Sequence, residues 1–292
     1  MLRWRILLGV TFIVALIALG WLDAHARTPG LWLFPLALLI ALAATNELSQ
    51  MFAARVPRPL GMAAYIGNAL IIAANWLPHV ASTPALARGN WPLLAIGAAI
   101  VLALSVEVFR YRTPDHQSER LAISAFAFLY VGALLSFAVQ LRFCGPEGNW
   151  GIAALVALLV VVKSSDTGAY VVGRLCGRRK LAPQLSPGKT IEGAIGGLTF
   201  AVFAAWLALV VLFPRISGPT APHVGLWTWL GFGTTVGAAG MIGDLAESLL
   251  KRDLGRKDSS DWMPGFGGVL DLLDSVLVAA PVAFAWWEYG IG

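Results

Sequence analysis

The chain has little of what soluble enzymes are usually built from. Of its 292 residues only 13% are charged, two are cysteine and four are histidine. Cys144 and Cys176 stand far apart, and neither belongs to a CxxC pair or a Cys/His cluster. That argues against a disulfide framework, a zinc site or a thiol nucleophile. His25, His79, His116 and His223 all lie outside the acidic block described below, so serine–histidine and cysteine–histidine catalysis have little to stand on. There is no low-complexity tract, no internal repeat and no sign of a soluble domain. Basic residues outnumber acidic ones by 21 to 16. They form no aromatic-interleaved stripe, so nucleic acid is not an expected partner.

What is present is apolar. Hydrophobic residues make up 58% of the chain, and the mean hydropathy is +0.74. Apolar runs fall at 5–22, 31–46, 61–78, 91–109, 121–141, 149–163, 193–213, 225–248 and 269–287. The expected fold is therefore all-α, a polytopic membrane protein with about nine transmembrane helices. The first run follows Arg3 and Arg5 but has no small-residue cleavage site, and it ends at Trp21 and Asp23 as an interfacial helix end does. It reads as a span rather than a signal peptide. With nine spans, seventeen of the 21 Lys and Arg residues fall on one side, against Arg27, Arg88, Arg142 and Arg215 on the other. The positive-inside rule then puts the N-terminus and the charged blocks in the cytoplasm, with a bacterial inner (plasma) membrane as the expected location. The oligomeric state is left open, a homodimer included.

The two halves carry unequal information. Residues 1–148 are transmembrane helices of unassigned role, in which Glu47 and Glu107 read as snorkelling or helix-capping acids. Residues 149–292 form the expected catalytic region, with cytoplasmic loops at 164–192 and 249–268. Carboxylates near membrane helix ends are costly, so a cluster of them marks a functional site. Asp244, Glu247, Ser248 and Lys251 are spaced i, i+3, i+4, i+7 and share one helix face, with Arg252 beside them. Asp271, Asp274 and Ser275 repeat the first three spacings on the next helix. Antiparallel neighbours would bring Asp244 and Asp271 from facing helices, and hard oxygen ligands without His or Cys suit Mg2+. The bland alternative is a salt-bridge network with Lys251 and Arg252, with Asp253, Asp258 and Asp261 as solvated loop charges. The turn Pro264-Gly265-Phe266-Gly267-Gly268 would let backbone N–H groups approach an anion closely.

A second cluster lies upstream, from Lys163 and Asp166 through Tyr170, Arg174, Arg178, Arg179 and Lys180 to Lys189. Pro183 and Pro187 break any helix there, which makes 175–190 a loop. Thr190 and Glu192 open the next span, at a helix N-terminus that favours anions. Lys189, within Ser186-Pro187-Gly188-Lys189-Thr190, is the better candidate for a triphosphate. Arg178, Arg179 and Lys180 suit either a triphosphate or anionic lipid headgroups. The segment is not a Walker A loop, since it lacks the spacing and follows no strand. Acids, lysines and a glycine-rich turn together point to phosphoryl or nucleotidyl transfer at a membrane surface.

These motifs resemble those of the phosphatidate cytidylyltransferases (CDP-diacylglycerol synthases). That family carries S-x-x-K-R-x(4)-K-D, then P-G-H-G-G-x-x-D-R-x-D. The chain has Ser248, Lys251, Arg252, Lys257 and Asp258 at the first spacing, then Pro264, Gly265, Gly267, Gly268, Asp271 and Asp274 at the second. The stretches around Asp166–Tyr170 and Leu181–Gly193 look like the family too. The likeness is close over roughly 160–278, whereas the N-terminal half agrees only as polytopic membrane sequence. Phe266 stands where the family has His, and Leu272 where it has Arg.

The resemblance implies Mg2+-dependent transfer of a cytidylyl group from CTP to phosphatidate, giving CDP-diacylglycerol and pyrophosphate, with K+ as a second cation. On that reading Asp244, Asp271 and Glu247 hold the metal. Lys251, Arg252 and Lys257 receive the leaving pyrophosphate, and Ser248, Asp258 and Asp274 complete the catalytic motif. Asp166, Lys189, Thr190, Glu192, Gly265, Gly267 and Gly268 contact substrate. A phosphatidate oxygen is already ionised near neutral pH, so the absent His is not needed as a proton carrier. The rival readings are a CTP-dependent enzyme acting on another lipid, a catalytically silent homologue and a transporter. Charges gathered at one cytoplasmic mouth disfavour the last.

Overall fold

The computed structural model describes every residue except 1, 54, 57–59, 81–88, 147, 219–220, 261–266 and 292, and the side chains of 2–8 and 148. The described chain is mostly helical. Its helical rods are α1 (Leu2–Ala24), α2 (Leu33–Phe52), α3 (Met62–Val80), α4 (Trp91–Arg110), α5 (Gln117–Leu141), α6 (Gly148–Cys176), α7 (Ile191–Ser217), α8 (Leu226–Asp253) and α9 (Val269–Ile291). Wider π turns interrupt α5 at Phe128–Ala133 and α7 at Leu207–Leu212, and end α9 at Trp287–Ile291.

Each apolar run of the sequence thus has its rod. Among the described residues six are long and apolar enough to cross a membrane: α2, α4, α5, α6 from Asn149, α7 and α9. The count falls short of the expected nine at α1, α3 and α8. The uncharged part of α8, 226–243, is diluted by glycine, threonine and tryptophan, α3 contains Asn68, Asn75 and His79, and the apolar stretch counted in α1 is the shorter Gly9–Ala24.

The structure departs from the sequence reading at the upstream loop. Helix α6 does not stop at 163 but continues to Cys176, so the loop expected at 164–192 is shorter. No proline interrupts 163–176, and the charges that suggested a loop are matched along the helix itself. Lys163 lies 3.5 Å from Asp166, and Arg174 donates to the Tyr170 hydroxyl at 2.7 Å. Beyond it the chain forms an antiparallel hairpin, β1 (Lys180–Ala182) and β2 (Ser186–Thr190), paired Lys180 to Thr190 and Ala182 to Ser186. This small sheet is the exception to the all-α expectation. The prolines that forbid a helix leave the extended conformation open. Likewise α8 runs to Asp253, so the later loop starts after 253 rather than at 249.

Two compact units result. The first is Met1–Val139 with Asp253–Leu272, and the second is Gln140–Arg252 with Leu273–Gly292. The break at 139/140 lies close to the 148/149 boundary read from composition, but the segment Asp253–Leu272 groups with the first unit. Buried polar pairs knit that unit together where water is scarce. Asn68 donates to Thr45 Oγ1 at 2.7 Å, and Asn75 donates to Ser136 Oγ at 2.8 Å. Glu107 pairs with Arg120 at 2.8 Å. The buried Asp23 carboxylate accepts from the backbone N–H of Gly30 and of Trp32 at 3.0 and 2.8 Å, at the start of α2.

Glu47 explains why Asp253–Leu272 belongs there. Its buried carboxylate accepts from the N–H groups of Val269 and Leu270 at 2.7 and 2.9 Å, and it lies 2.9 Å from Ser259 Oγ. It therefore caps α9 from more than 200 residues away in sequence. The capping reading of Glu47 holds, although the helix it caps is not its own.

In the second unit, α6 and α7 pack through small residues. A Cβ on Gly193 would come within 2.8 Å of Ala169 O, and one on Gly243 within 2.3 Å of Asp274 O. These glycines let the backbones of α6 and α7, and of α8 and α9, approach closely. The buried rings of Trp150, Phe213 and Trp287 meet edge to face at 5.1 and 4.9 Å between successive centroids.

Removing the Glu47 carboxylate leaves buried N–H donors without an acceptor, so Glu47→Ala should cost about 1–3 kcal/mol. Thermal unfolding of the detergent-purified protein checks this, and an unchanged midpoint would mean that Glu47 does not hold α9.

Candidate active site

Within the second unit a cavity of about 510 Å³ opens between α6, the hairpin, the first turn of α7 and the late turns of α8. Asp166, Tyr170 and Arg174 reach it from α6, Ser186, Gly188, Lys189 and Thr190 from the hairpin, and Asp244 from α8. Lys189 Nζ lies 2.7 Å from Asp244 Oδ2, an ion pair that is only partly exposed. Asp166 is paired with Lys163 in turn. Asp274, buried on α9, stands within electrostatic reach of Asp244, Asp166 and Lys163. The structure thus gathers Asp166, Lys189, Asp244 and Asp274, which the sequence reading had drawn from three separate motifs. Three carboxylates there face Lys163, Lys189 and Arg174.

Local chemistry fixes how the hairpin presents Lys189. The buried Thr190 is the N-cap of α7, its Oγ1 accepting from Gly193 N at 3.1 Å. The Glu192 carboxylate accepts from Arg178 N at 3.0 Å and from Arg179 N at 3.1 Å, and Ile191 N donates to Arg179 O at 2.9 Å. The loop entering β1 is therefore fastened to the first turn of α7. Glu192 acts here as a clamp on the backbone that carries the site. Thr190 does both things, capping the helix and lining the cavity.

The C-terminal motif residues are distributed otherwise. Glu247 is buried on α8 and bound by Lys251 of the next turn at 2.6 Å. Asp244 belongs to the second unit and Asp271 to the first. Asp271 Oδ2 accepts from Ser259 N and Gly268 N at 2.9 and 2.8 Å, and it lies 2.8 Å from Ser259 Oγ, whose single proton serves either this carboxylate or that of Glu47. The Gly268 bond is the reciprocal half of a capping box at the start of α9. Gly267 has φ +78°, and a Cβ on Gly268 would come within 2.3 Å of Glu47 Oε2. Both glycines thus admit carboxylates, and the Gly268 N–H expected to face a phosphate donates to Asp271. Ser248 and Leu272 are half-buried, whereas Arg252, Lys257 and Asp258 are exposed. Gly265, Phe266 and Asp261 lie outside the described residues.

Two cavity residues were quoted in the motifs without a role. Tyr170 and Arg174 are spaced i, i+4, and that spacing on a continuous α6 is the signal that could have paired them. Glu47 had no such signal, because its partners are remote in sequence.

Among the described residues no three His, Cys, Asp or Glu side chains converge closely enough to cage an ion. The donor set still suits Mg2+. The cavity offers aspartate oxygens and neither Cys nor His, and Mg2+ binds through one or two carboxylates while retaining water and substrate phosphate. Thiol chemistry finds no support. Both cysteines are free, and burial together with the nearby Glu288 pushes the Cys144 thiol up to about 12.

The protein is polytopic and helical, and its cavity sets a lysine against an aspartate. The chain belongs to the cytidylyltransferase family, which it matches over residues 3–289. It is 38% identical over 156 residues to the uncharacterized protein YnbB of Escherichia coli, covering 53% of this chain and 49% of that one. It is 33% identical over 186 residues to the phosphatidate cytidylyltransferase of Bacillus subtilis, covering 64% of each. Against the phosphatidate cytidylyltransferase of Staphylococcus aureus it is 31% identical over 256 residues, covering 87% of this chain and 88% of that one. The chain thus spans about half of the first of these relatives and just under two thirds of the second.

Glu192→Ala should free the loop at Arg178–Lys180. Tryptic cleavage there should then be several-fold faster. Unchanged cleavage would show that Glu192 does not clamp the loop.

Proposed function

We propose that the protein transfers the cytidylyl group of CTP to phosphatidate, giving CDP-diacylglycerol and pyrophosphate for phospholipid biosynthesis. The observation that carries the proposal is the Lys189–Asp244 pair inside a cavity that also holds Asp166. Family membership and the two relatives named phosphatidate cytidylyltransferase support it. In the reaction a phosphatidate oxygen forms a bond to the α-phosphorus of CTP as the bond from that phosphorus to the bridging β-phosphate oxygen breaks. The leaving group is pyrophosphate.

Lys189 exchanges its carboxylate partner for a triphosphate oxygen, and its charge then offsets the negative charge gathered there. Asp244, released from Lys189, and Asp166 are the two oxygen donors that would hold Mg2+, with Asp274 adding negative charge behind them. When bound, Mg2+ neutralises phosphate charge and polarises the phosphoryl group. Lys163, paired with Asp166, keeps that carboxylate from repelling the substrate. Catalysis of this kind rests on positioning and electrostatics. K+ as a second cation belongs to the same proposal. Each of these residues comes from one chain, so the chemistry is the same in a monomer and in a homodimer.

We further propose that all nine rods cross a bacterial inner membrane with the cavity facing the cytoplasm. The supporting argument is the seventeen-to-four distribution of basic residues. Cysteine scanning of the 110–117 and 177–190 loops in intact cells, with an impermeant thiol reagent, should label neither until the membrane is opened.

Asp244→Asn should abolish pyrophosphate release from CTP and phosphatidate while the unfolding midpoint stays put. Lys189→Met, losing a charge-assisted hydrogen bond of about 1.5–3 kcal/mol, should raise the KM for CTP about tenfold or more. Near-wild-type turnover by Asp244→Asn would overturn the assignment of the site.

A further inference from the structure

The cavity has a second cation that the transfer chemistry leaves unused. Arg174 lines it from the last turn of α6 and is exposed. Lys189 is tied to Asp244, but Arg174 makes no ion pair among the described residues. Its companion is neutral. Nη1 donates to the Tyr170 hydroxyl at 2.7 Å, and the guanidinium carbon stands 6.0 Å from the centroid of that ring. One N–H is thereby used to fix the direction of a planar fork whose other donors stay available. Such a fork matches two phosphate oxygens at once.

The surroundings indicate which phosphate. Tyr170 is 64% exposed and Ile195 61%, on the two helices that wall the cavity. In a membrane protein such outward apolar side chains face acyl chains. Tyr170 lies about one bilayer thickness of helix beyond Asn149, which would set it where aromatic side chains collect near the headgroups. A phosphate ester carrying acyl chains can lie along this face and meet Arg174 first. CTP, arriving from water, gains nothing from that face.

We infer that Arg174, oriented by Tyr170, is the anchor for the phosphate monoester of the acceptor lipid. The inference rests on the proposed cytidylyl transfer and names the acceptor subsite of the same cavity. It separates the anionic groups by residue: the lipid phosphate on Arg174, the triphosphate on Lys189.

The test uses the full-length protein in mixed micelles, with phosphatidate varied at saturating CTP and CTP varied at saturating phosphatidate. Arg174→Gln should raise the KM for phosphatidate about tenfold and leave the KM for CTP within about twofold, tenfold being the worth of about 1.4 kcal/mol. Tyr170→Phe should move the same constant in the same direction by a smaller factor, and Arg174→Lys should recover part of the loss. An unchanged lipid KM in Arg174→Gln, or a rise confined to CTP, would overturn the inference. A purely interfacial anchor would shift neither constant.

A direct reading needs no turnover. Calorimetry with a short-chain phosphatidate should show binding to the wild type, weaker binding to Arg174→Gln and none of that difference with short-chain phosphatidylcholine. Equal binding by the two proteins refutes the anchor. Clear binding without turnover by the wild type would refute the proposed reaction and leave the anchor standing.

Discussion

A charge carried into an apolar helical bundle must find a partner there, because water is not at hand to solvate it. The described charges of this protein obey that constraint in two ways. Some are matched along a helix, as Lys163 is with Asp166 and Lys251 with Glu247. Others are matched across helices, as Glu107 is with Arg120 and Glu47 with the N–H groups that open α9. The first kind allows α6 and α8 to remain helices far beyond their apolar stretches. The second kind ties remote segments into one unit. Lys189 and Asp244 obey the same constraint, but they do so inside a cavity, where a partner can be exchanged for a substrate.

That exchange gives the structure its functional logic. A lysine already held by a carboxylate is positioned before a phosphate arrives, and the carboxylate is freed when the phosphate takes its place. The two prolines, the Thr190 cap and the Glu192 clamp all serve to hold the strand that carries Lys189 against α7. Small residues let α6 and α7 approach so closely that the cavity lies at their ends. Sequence, local structure and chemistry are therefore linked through one short hairpin.

Much of this was legible beforehand. The apolar runs marked every rod, because a run of Leu, Ala, Ile and Val in a chain with so few charges has few other uses. Pro183 and Pro187 correctly kept the segment around them out of a helix. Lys163 and Asp166 misled, since polar residues after an apolar run look like a loop until their i, i+3 pairing is considered. Asp271 and the glycines at 267 and 268 looked like a metal and phosphate turn. Their positions also satisfy the N-terminus of α9, a demand that depends on Glu47 and Ser259 and cannot be seen from local spacing. The pairing of Lys189 with Asp244 likewise arises from tertiary structure alone.

The account stands on nucleotidyl transfer, in which the α-phosphorus of CTP is the one attacked. The most direct measurement gives the purified protein phosphatidate with CTP carrying radiolabel at either the α- or the γ-phosphate. The account predicts that α-label enters the lipid and γ-label leaves as pyrophosphate. Label from the γ-phosphate in the lipid would mean phosphoryl transfer and contradict it, as would α-label that never leaves the nucleotide.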